Sequence, residues 1–274
     1  MTYDFRGKTA VVTGASRGIG ETIARTLAAD GARVALVARS ADKIASLAQS
    51  LPNGAVAIEA DLAAAEGWKT VAAAALDALG DVDILVNNAG VSHAEPIGKV
   101  TPEGLDNTLN VNIRNLILLT DALSPSLIRR RGCVVNVSSV SSFSGAIGQI
   151  AYSASKGAVN SFTRNASIDF GRSGVRVNAV APGVIDDGMW KTAFSKGLDR
   201  EKTFERMRRL LPLEGRWGSA QNVADCVGQG RVRDRSSDSS RWRHDRLRRY
   251  DRRDCWNRCW KKTWSALSEA HCAE

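Results

Sequence analysis

Tyr152 and Lys156, four residues apart, are the residues of this chain best suited to acid–base chemistry. On a helix, residues at this spacing share one face, with Cβ atoms about 5–6 Å apart. A nearby ammonium favours the phenolate form and so lowers the pKa of a phenol, which is ordinarily about 10. The pair therefore predicts the proton donor and acceptor that carbonyl–alcohol interconversion needs. Most Tyr-x-x-x-Lys pairs are surface helix residues, so this interpretation depends on the other motifs.

A glycine-rich turn lies near the start of the chain. The apolar, β-branched run 8–13 predicts a buried strand, and apolar residues at helical spacing begin at Ile19. Strand, glycine turn and helix start form the arrangement that receives a pyrophosphate on backbone N–H groups and a helix dipole. The spacing is G-x-x-x-G-x-G, and taken alone the turn could be only a tight turn. The predicted coenzyme contacts in this turn are Gly14, Ser16, Arg17, Gly18, Ile19 and Gly20.

Further motifs, in order from Thr9 to Gly183, make the chain resemble the short-chain dehydrogenase/reductase family, in particular its 3-oxoacyl-ACP reductase-like members. Ser139 lies 13 residues before Tyr152, and Asn112 lies 27 residues before Ser139, as in that family. The other matching motifs follow predicted strands: Asp61-Leu62, Asn88-Ala89-Gly90, and Pro182-Gly183 with Ile185.

The resemblance implies a role for each matched residue. Tyr152 would exchange the proton, Ser139 would hydrogen-bond the substrate oxygen, and Lys156 would bind the nicotinamide ribose and lower the tyrosine pKa. Asn112 would position a water that links Lys156 to solvent. The strand-end motifs would hold the coenzyme: residues 61–62 and 88–90 around the adenosine, and 182–185 at the nicotinamide.

The coarse layout predicts an α/β fold. Strand-like runs near 8–13, 33–37, 55–59, 82–87, 133–138 and 175–180 alternate with helical stretches at 19–29, 40–51, 64–79, 103–130 and 152–171. This alternation, with strands that are continuous apolar runs, predicts a single-domain, Rossmann-like, doubly wound parallel sheet covered by helices on both faces. Ligands in such sheets bind at the carboxyl ends of the strands, where the motifs lie.

The coenzyme can be predicted from the end of the second strand. An NAD-specific site usually places an acid near Ala38, which would repel a 2′-phosphate. Here Arg39 follows the strand and Arg17 lies in the glycine turn, and two guanidinium groups can bind a 2′-phosphate by charge-assisted hydrogen bonds. The sequence therefore favours NADP(H) over NAD(H).

The substrate pocket of the family is formed by segments that correspond to 91–96, 141–149 and 185–198. The last predicts a lid with an apolar face of Met189, Trp190 and Phe194. These residues indicate a medium-sized, partly apolar ketone or alcohol, while His93 is expected to be a loop residue.

Arginines end two predicted helices, at 129–131 and at Arg172. Positive charge there ordinarily complements the helix dipole. The alternative interpretation is a docking patch for an acidic acyl carrier protein, as in the 3-oxoacyl reductases of the family. The resemblance also implies a homo-oligomer, either a dimer or a tetramer.

Composition bounds the remaining classes. No stretch approaches the roughly 20 apolar residues of a membrane span, and the chain begins without an apparent signal peptide. Five cysteines at irregular positions indicate a reducing compartment, so a cytoplasmic location is expected. Cys255 and Cys259 are four residues apart without a second ligand pair, and no metal site is predicted.

Residues 228–274 depart from the pattern of the dehydrogenase domain, 1–227. They hold 11 Arg and 2 Lys against 5 Asp and 2 Glu, a net charge of +6 of the chain's +9, and four of its seven tryptophans. The family would place a last strand here, so a reading-frame slip is the favoured hypothesis and that strand is expected to be missing or altered. The alternative is a nucleic-acid-binding tail on a coenzyme-sensing domain without turnover, through phosphate neutralisation and stacking on the interleaved aromatics.

Overall fold

The computed structural model describes residues 4–144, 148–185 and 218–232, together with the isolated residues 199, 201, 202 and 205. The described residues do not include 186–198 or 233–274. Three predictions therefore lie outside them: the lid, the cysteine pair at 255 and 259, and the change of the last strand in the tail. The helix that precedes this tail ends at Val232, five residues beyond the predicted domain boundary.

Six strands form the sheet: β1 (Thr9–Thr13), β2 (Arg33–Ala38), β3 (Val56–Glu59), β4 (Ile84–Asn87), β5 (Cys133–Val137) and β6 (Arg176–Val180). Their order across the sheet is β3-β2-β1-β4-β5-β6, and every neighbouring pair is parallel. This arrangement confirms the predicted Rossmann-like fold. The strand order reverses between β1 and β4, which opens a crevice at their carboxyl ends where such sheets bind ligands.

Eight helices are described: α1 (Gly18–Ala29), α2 (Ala41–Ser50), α3 (Gly67–Leu79), α4 (Pro102–Leu109), α5 (Asn115–Ala122), α6 (Ser124–Arg130), α7 (Ile150–Asp169) and α8 (Ala220–Val232). One π-helical turn, 110–114, and two 3₁₀ turns, 140–142 and 171–173, complete the described elements.

Alternate residues of each strand face opposite sides of the sheet, and an apolar layer covers each side. For this reason the strand sequences are continuous apolar runs. In β1, Ala10 and Val12 pack with α1, α2 and α8, whereas Val11 packs with α3, α5, α6 and α7. Both layers are fully buried at the sheet centre, so the carboxyl ends of the strands are held on a rigid base.

The predicted helix over 103–130 is divided in the structure. The π turn at 110–114 follows α4 directly, and a second break falls at Leu123, before α6, which carries a proline in its first turn. Pro125 has no N–H for a helical hydrogen bond and occupies the first turn, where none is needed. Helix α3 also begins three residues later than predicted, because turns fill 61–67: the Ala64 N–H donates to the Asp61 carbonyl and the Gly67 N–H to the Ala64 carbonyl, both at 3.2 Å.

None of the described helices has the length and apolar character of a membrane span.

Candidate active site

The four predicted catalytic residues lie on three segments beside the carboxyl end of β5. Ser139 follows that strand, Asn112 lies in the π turn, and Tyr152 and Lys156 occupy the first two turns of α7. Hydrogen bonds join these segments to one another. Asn112, Ser139 and Tyr152 therefore meet at one place, although 27 and 13 residues separate them in sequence.

The Ser139 hydroxyl lies close enough to the Tyr152 phenol to lower its pKa. The Ser139 hydroxyl, on a residue only 8 % exposed, also accepts a hydrogen bond of 3.2 Å from the Ser141 N–H, so it caps its turn as well. Burial raises the pKa of Tyr152, and the Ser139 hydrogen bond opposes this only in part. The direction is opposite to the one expected from the Tyr-x-x-x-Lys spacing, because loss of solvent outweighs the neighbouring groups.

Lys156 is a buried ammonium, with 3 % of its surface exposed. Its Nζ donates a 2.7 Å hydrogen bond to the Val137 carbonyl and lies 5.8 Å from the centre of the Tyr152 ring. Burial lowers the pKa of Lys156 to about 8. Among the described residues it forms no ion pair, and Val137 is its one hydrogen-bond acceptor, so the other N–H donors of the ammonium are available to a ligand.

Asn112 is fully buried, and its side chain ties the catalytic segments together. Its Oδ1 accepts from the Val91 N–H at 2.8 Å, while Nδ2 donates to the Val91 carbonyl and to Ser155 Oγ, both at 2.9 Å. Both amide hydrogens are therefore used within the protein. Only the second lone pair of Oδ1 or the backbone remains for the predicted water-positioning role.

Ser155 is a site residue that the sequence reasoning missed. Its buried hydroxyl accepts from Asn112 and donates 2.7 Å to the Tyr152 carbonyl, which joins the π turn to the first turn of α7. The available signal was a small polar residue directly before Lys156, on the inward side of the helix.

The glycine turn fits closely against the strand-end motif at residues 88–90. Gly14 and Gly18 have φ of +67° and +60°, which favour glycine. A Cβ on Gly20 would lie 2.3 Å from the Gly14 carbonyl oxygen and 2.4 Å from Asn88 Nδ2. The turn leads into α1, whose N-terminus carries no side-chain cap. A glycine turn that leads into a helix N-terminus without a side-chain cap fits the pyrophosphate of a dinucleotide.

Thr13 links the turn to that motif and was also missed. Its Oγ1 accepts hydrogen bonds of 3.0 Å from the N–H groups of both Asn88 and Ala89. Asn88 Nδ2 donates in return to the carbonyls of Thr13 at 2.9 Å and Gly14 at 3.2 Å. Gly90 lies deeper, since a Cβ there would be 3.4 Å from Asn112 Oδ1 and 3.5 Å from Lys156 Nζ. The motif thus reaches from the glycine turn to the catalytic residues.

Asp61 and Leu62 follow β3 at the same end of the sheet. The exposed Asp61 carboxylate accepts a 2.9 Å hydrogen bond from the Ala63 N–H. The Leu62 carbonyl accepts 2.9 Å from the buried Asn115 Nδ2, a positioning contact that the sequence reasoning missed.

Arg17 and Arg39 are both exposed, and they follow the carboxyl ends of the neighbouring strands β1 and β2. Ala38, before Arg39, is nearly buried and carries no acid.

The segment after β6 closes one side of the site. The Pro182 carbonyl accepts a 3.0 Å hydrogen bond from the Val140 N–H, and Gly183 lies against the Val140 side chain. Ile185 is buried and forms an isolated bridge with Gly218.

The loop after Gly90 is fixed at both ends. The Glu95 N–H donates 2.8 Å to the Gly148 carbonyl, beside the start of α7. The Glu95 carboxylate accepts hydrogen bonds from the Thr101 hydroxyl at 2.7 Å and from the Thr101 backbone N–H at 3.2 Å. Both bonds lower the pKa of the Glu95 carboxyl, and the hydroxyl has the larger effect. His93 Nε2 is 2.9 Å from Asn107 Nδ2, a contact within the loop and α4.

Two of the arginines considered for partner docking form ion pairs at the opposite, amino end of the sheet. Arg129 Nη2 lies 2.7 Å from Asp81, and Arg130 Nη2 lies 3.2 Å from Asp83, which also binds Lys8 Nζ at 2.9 Å. Burial raises the pKa of Asp83, but the bonds from Lys8 and Arg130 lower it by more, and its net direction is down. The hydrogen bonds from Arg129 and Ser126 lower the pKa of Asp81. These arginines therefore have internal partners.

Known proteins are similar to this chain over most of its length. The family model described as short chain dehydrogenase matches residues 8–197. An L-xylulose reductase of Bos taurus is 37 % identical over 83 % of the chain and 90 % of its own length. The 3-oxoacyl-[acyl-carrier-protein] reductase of Aquifex aeolicus is 32 % identical over 83 % and 91 %. The crystal structure of a dehydrogenase/reductase from Sinorhizobium meliloti 1021 superposes with a TM-score of 0.75 at 33 % identity, over 83 % of this chain and 88 % of that one.

Proposed function

This chain belongs to the short chain dehydrogenase family, and from that premise we propose that it is an NADP(H)-dependent ketone reductase in which Tyr152 is the acid. Membership makes it an oxidoreductase of CH–OH groups that uses NAD(P). The preference for NADP(H), the direction and the residue roles are the proposal.

One observation carries the proposal: Ser139 and Tyr152, close enough for the serine hydroxyl to lower the tyrosine pKa, stand beside the buried ammonium of Lys156. Two neighbouring hydroxyl groups can both reach a single substrate oxygen. The ammonium below them supplies positive charge in a site with little solvent, where it interacts strongly with developing negative charge.

The roles follow from this geometry. When bound, the coenzyme supplies the hydride that adds to the carbonyl carbon. Tyr152 gives its phenol proton to the oxygen as it becomes an alkoxide, and Ser139 donates a second hydrogen bond to the same oxygen. Lys156 binds the ribose through the N–H donors that do not bond Val137. Asn112 fixes α7 relative to the loop at Val91, because its amide donates to both the Val91 carbonyl and Ser155 Oγ.

The raised pKa of Tyr152 favours reduction over oxidation at neutral pH. Reduction needs the protonated phenol, which burial preserves, whereas oxidation needs the phenolate. Oxidation of an alcohol should therefore accelerate as pH rises toward the tyrosine pKa, while reduction should be fastest below it. Initial rates in both directions from pH 6 to 10 measure this, and equal profiles would contradict the assignment of Tyr152.

The preference for NADP(H) rests on Arg17 and Arg39 at the ends of adjacent strands, with Ala38 in place of an acid. Arg39→Ala should raise the KM for NADPH about 10-fold, in line with loss of a charged contact, and leave that for NADH nearly unchanged. Arg33→Ala is the matched control, since Arg33 is an exposed arginine at the opposite end of the same strand. Equal effects on both coenzymes would count against a 2′-phosphate contact.

The substrate is proposed to be a medium-sized ketone, either a hydroxylated sugar-like ketone or a 3-oxoacyl thioester. The two similar reductases act, by their names, on these two classes. Docking of an acyl carrier protein and assembly into a dimer or tetramer remain proposals. Arg172→Glu tests docking better than a change at Arg129, which would also break an ion pair. A higher KM for carrier-bound substrate alone would support docking.

The first test is oxidation of NADPH and NADH by the full chain against a panel of both ketone classes. Turnover that prefers NADPH and is lost in Tyr152→Phe supports the proposal. Turnover that survives in Tyr152→Phe would overturn the role of Tyr152, and absence of turnover with every ketone would overturn the proposed activity.

A further inference from the structure

A third polar residue continues the face of α7 that carries Tyr152 and Lys156. Asn160 lies four residues after Lys156, so the three residues form a stripe along one side of the helix. All three contact the segment 137–142, called the serine turn below. The Ser139 side chain lowers the pKa of Tyr152, and Lys156 Nζ donates to the Val137 carbonyl at the start of the turn.

Asn160 reaches the other end of the serine turn through Ser142. Its Nδ2 donates a 2.7 Å hydrogen bond to Ser142 Oγ, and that hydroxyl donates 2.5 Å to the Ser139 carbonyl. A second hydrogen bond is donated from the turn to the helix, by Ser138 Oγ to the Lys156 carbonyl at 3.2 Å. The backbone of Ser139 is therefore connected to α7 on both sides.

The connection matters because the serine turn is short. Two of its other hydrogen bonds are local: the Ser141 N–H to Ser139 Oγ, and the Ser142 N–H to the Ser139 carbonyl at 3.0 Å. Two more lead to β6 and the segment after it, from the Ser138 N–H to the Val180 carbonyl at 2.8 Å and from the Val140 N–H to the Pro182 carbonyl at 3.0 Å. None of these four bonds comes from α7, so the bond from Asn160 acts together with those of Ser138 and Lys156 to hold the turn against the helix that carries the phenol.

Building on the proposed role of Ser139, we propose that Ser142 and Asn160 are positioning residues that hold the Ser139 hydroxyl in hydrogen-bonding reach of the Tyr152 phenol. Neither residue touches the reacting atoms in this scheme. They act through the backbone of Ser139, where a displacement of about 1 Å can lower a rate by 10- to 100-fold.

The test uses Ser142→Ala in the full chain, with Asn160→Ala as a second variant and Ser167→Ala as the matched control. Ser167 is an exposed serine in the last turns of α7, and its hydroxyl donates 2.7 Å to the Arg164 carbonyl of the same helix. We expect Ser142→Ala to lower kcat about 10-fold or more while the Kd for NADPH stays within about 2-fold. Ser142→Thr, which keeps the hydroxyl, should recover most of the rate.

Coupling separates positioning from general destabilisation. Once the Ser139 hydroxyl is removed, its position is irrelevant, so Ser139→Ala/Ser142→Ala should be no slower than Ser139→Ala. Multiplied rate losses in the double variant would overturn the proposal, and so would equal losses in Ser142→Ala and Ser167→Ala.

A second readout does not require turnover. The chain has three tyrosines, and the difference in tyrosinate absorbance against Tyr152→Phe isolates the Tyr152 phenol. Because the Ser139 hydrogen bond lowers the pKa of Tyr152, Ser142→Ala should raise it in the same direction as Ser139→Ala. An unchanged titration in both Ser142→Ala and Asn160→Ala would refute the positioning role, even for a chain that reduces no ketone. Absence of turnover in the parent protein would instead count against the proposed function.

Discussion

Replacing Lys156 by methionine should stabilise the coenzyme-free protein near neutral pH and abolish its activity. The ammonium is almost fully buried, and burial lowers its pKa from 10.5 to about 8. At about 1.36 kcal/mol for each pH unit, this lowering means that the charged lysine reduces the free energy of unfolding by about 3 kcal/mol. Methionine has a similar shape and no charge to bury.

The sign of the pH dependence follows from proton linkage. An unfolded lysine titrates near 10.5 and the folded one near 8. Between these pH values the unfolded chain binds more protons, so stability rises with pH; below pH 8 the full penalty applies. The variant lacks this dependence. It loses the bond to the Val137 carbonyl, about 1–2 kcal/mol, which leaves a net gain of about 1–2 kcal/mol at pH 7.

Urea unfolding of both proteins at pH 7 and pH 10.5 measures this effect. The advantage of Lys156→Met should disappear at the higher pH, and other titrating groups cancel in the difference. Lys43→Met is the control, because Lys43 is exposed on α2 and burial does not act on it. A variant less stable than the parent by the same amount at both pH values would refute the reasoning that burial of the ammonium opposes folding.

Two further substitutions probe the glycine cradle and the amino end of the sheet. Gly20→Ala places a Cβ 2.3 Å from the Gly14 carbonyl oxygen and should weaken NADPH binding about 10-fold or more by titration, while Gly157→Ala, in open space, should not. Asp83→Asn leaves two partly exposed cations without their buried carboxylate and should lower the unfolding free energy by about 2–3 kcal/mol in urea at pH 7. Because the pKa of Asp83 is lowered, this difference should shrink as pH falls through that lowered pKa, and a pH-independent difference would contradict the ion-pair account.

The sequence predicted the strands and most of the site because both depend on short-range patterns. Each strand is a β-branched apolar run, and each site motif follows one, so the fold alone brings the motifs to one edge. The division of the helix at 110–114 was not predicted, since the π turn is set by the Asn112 side chain binding a loop 21 residues earlier.

The residues that sequence reasoning missed share one property: their hydrogen bonds join segments distant in sequence. Thr13 binds residues 75 and 76 positions later, and Asn115 binds a carbonyl 53 positions earlier. Nothing in their local sequence distinguishes them from satisfied core residues. The rise in the pKa of Tyr152 could not be predicted from the sequence for a related reason. Loss of solvent depends on the whole fold, whereas the spacing to Lys156 is a local feature.

The two ends of the sheet bury charge in opposite ways, and this contrast supports the proposed site at the carboxyl end. At the amino end, the buried Asp83 has two cationic partners, so removing the charge should destabilise the protein. At the carboxyl end, Lys156 has no carboxylate partner among the described residues, so removing its charge should stabilise it. A paired charge can be explained by folding alone. A charge that opposes folding needs another explanation, and binding a ligand beside Tyr152 supplies one. Opposite signs for Asp83→Asn and Lys156→Met, measured in one urea series at pH 7, are the outcome this argument requires.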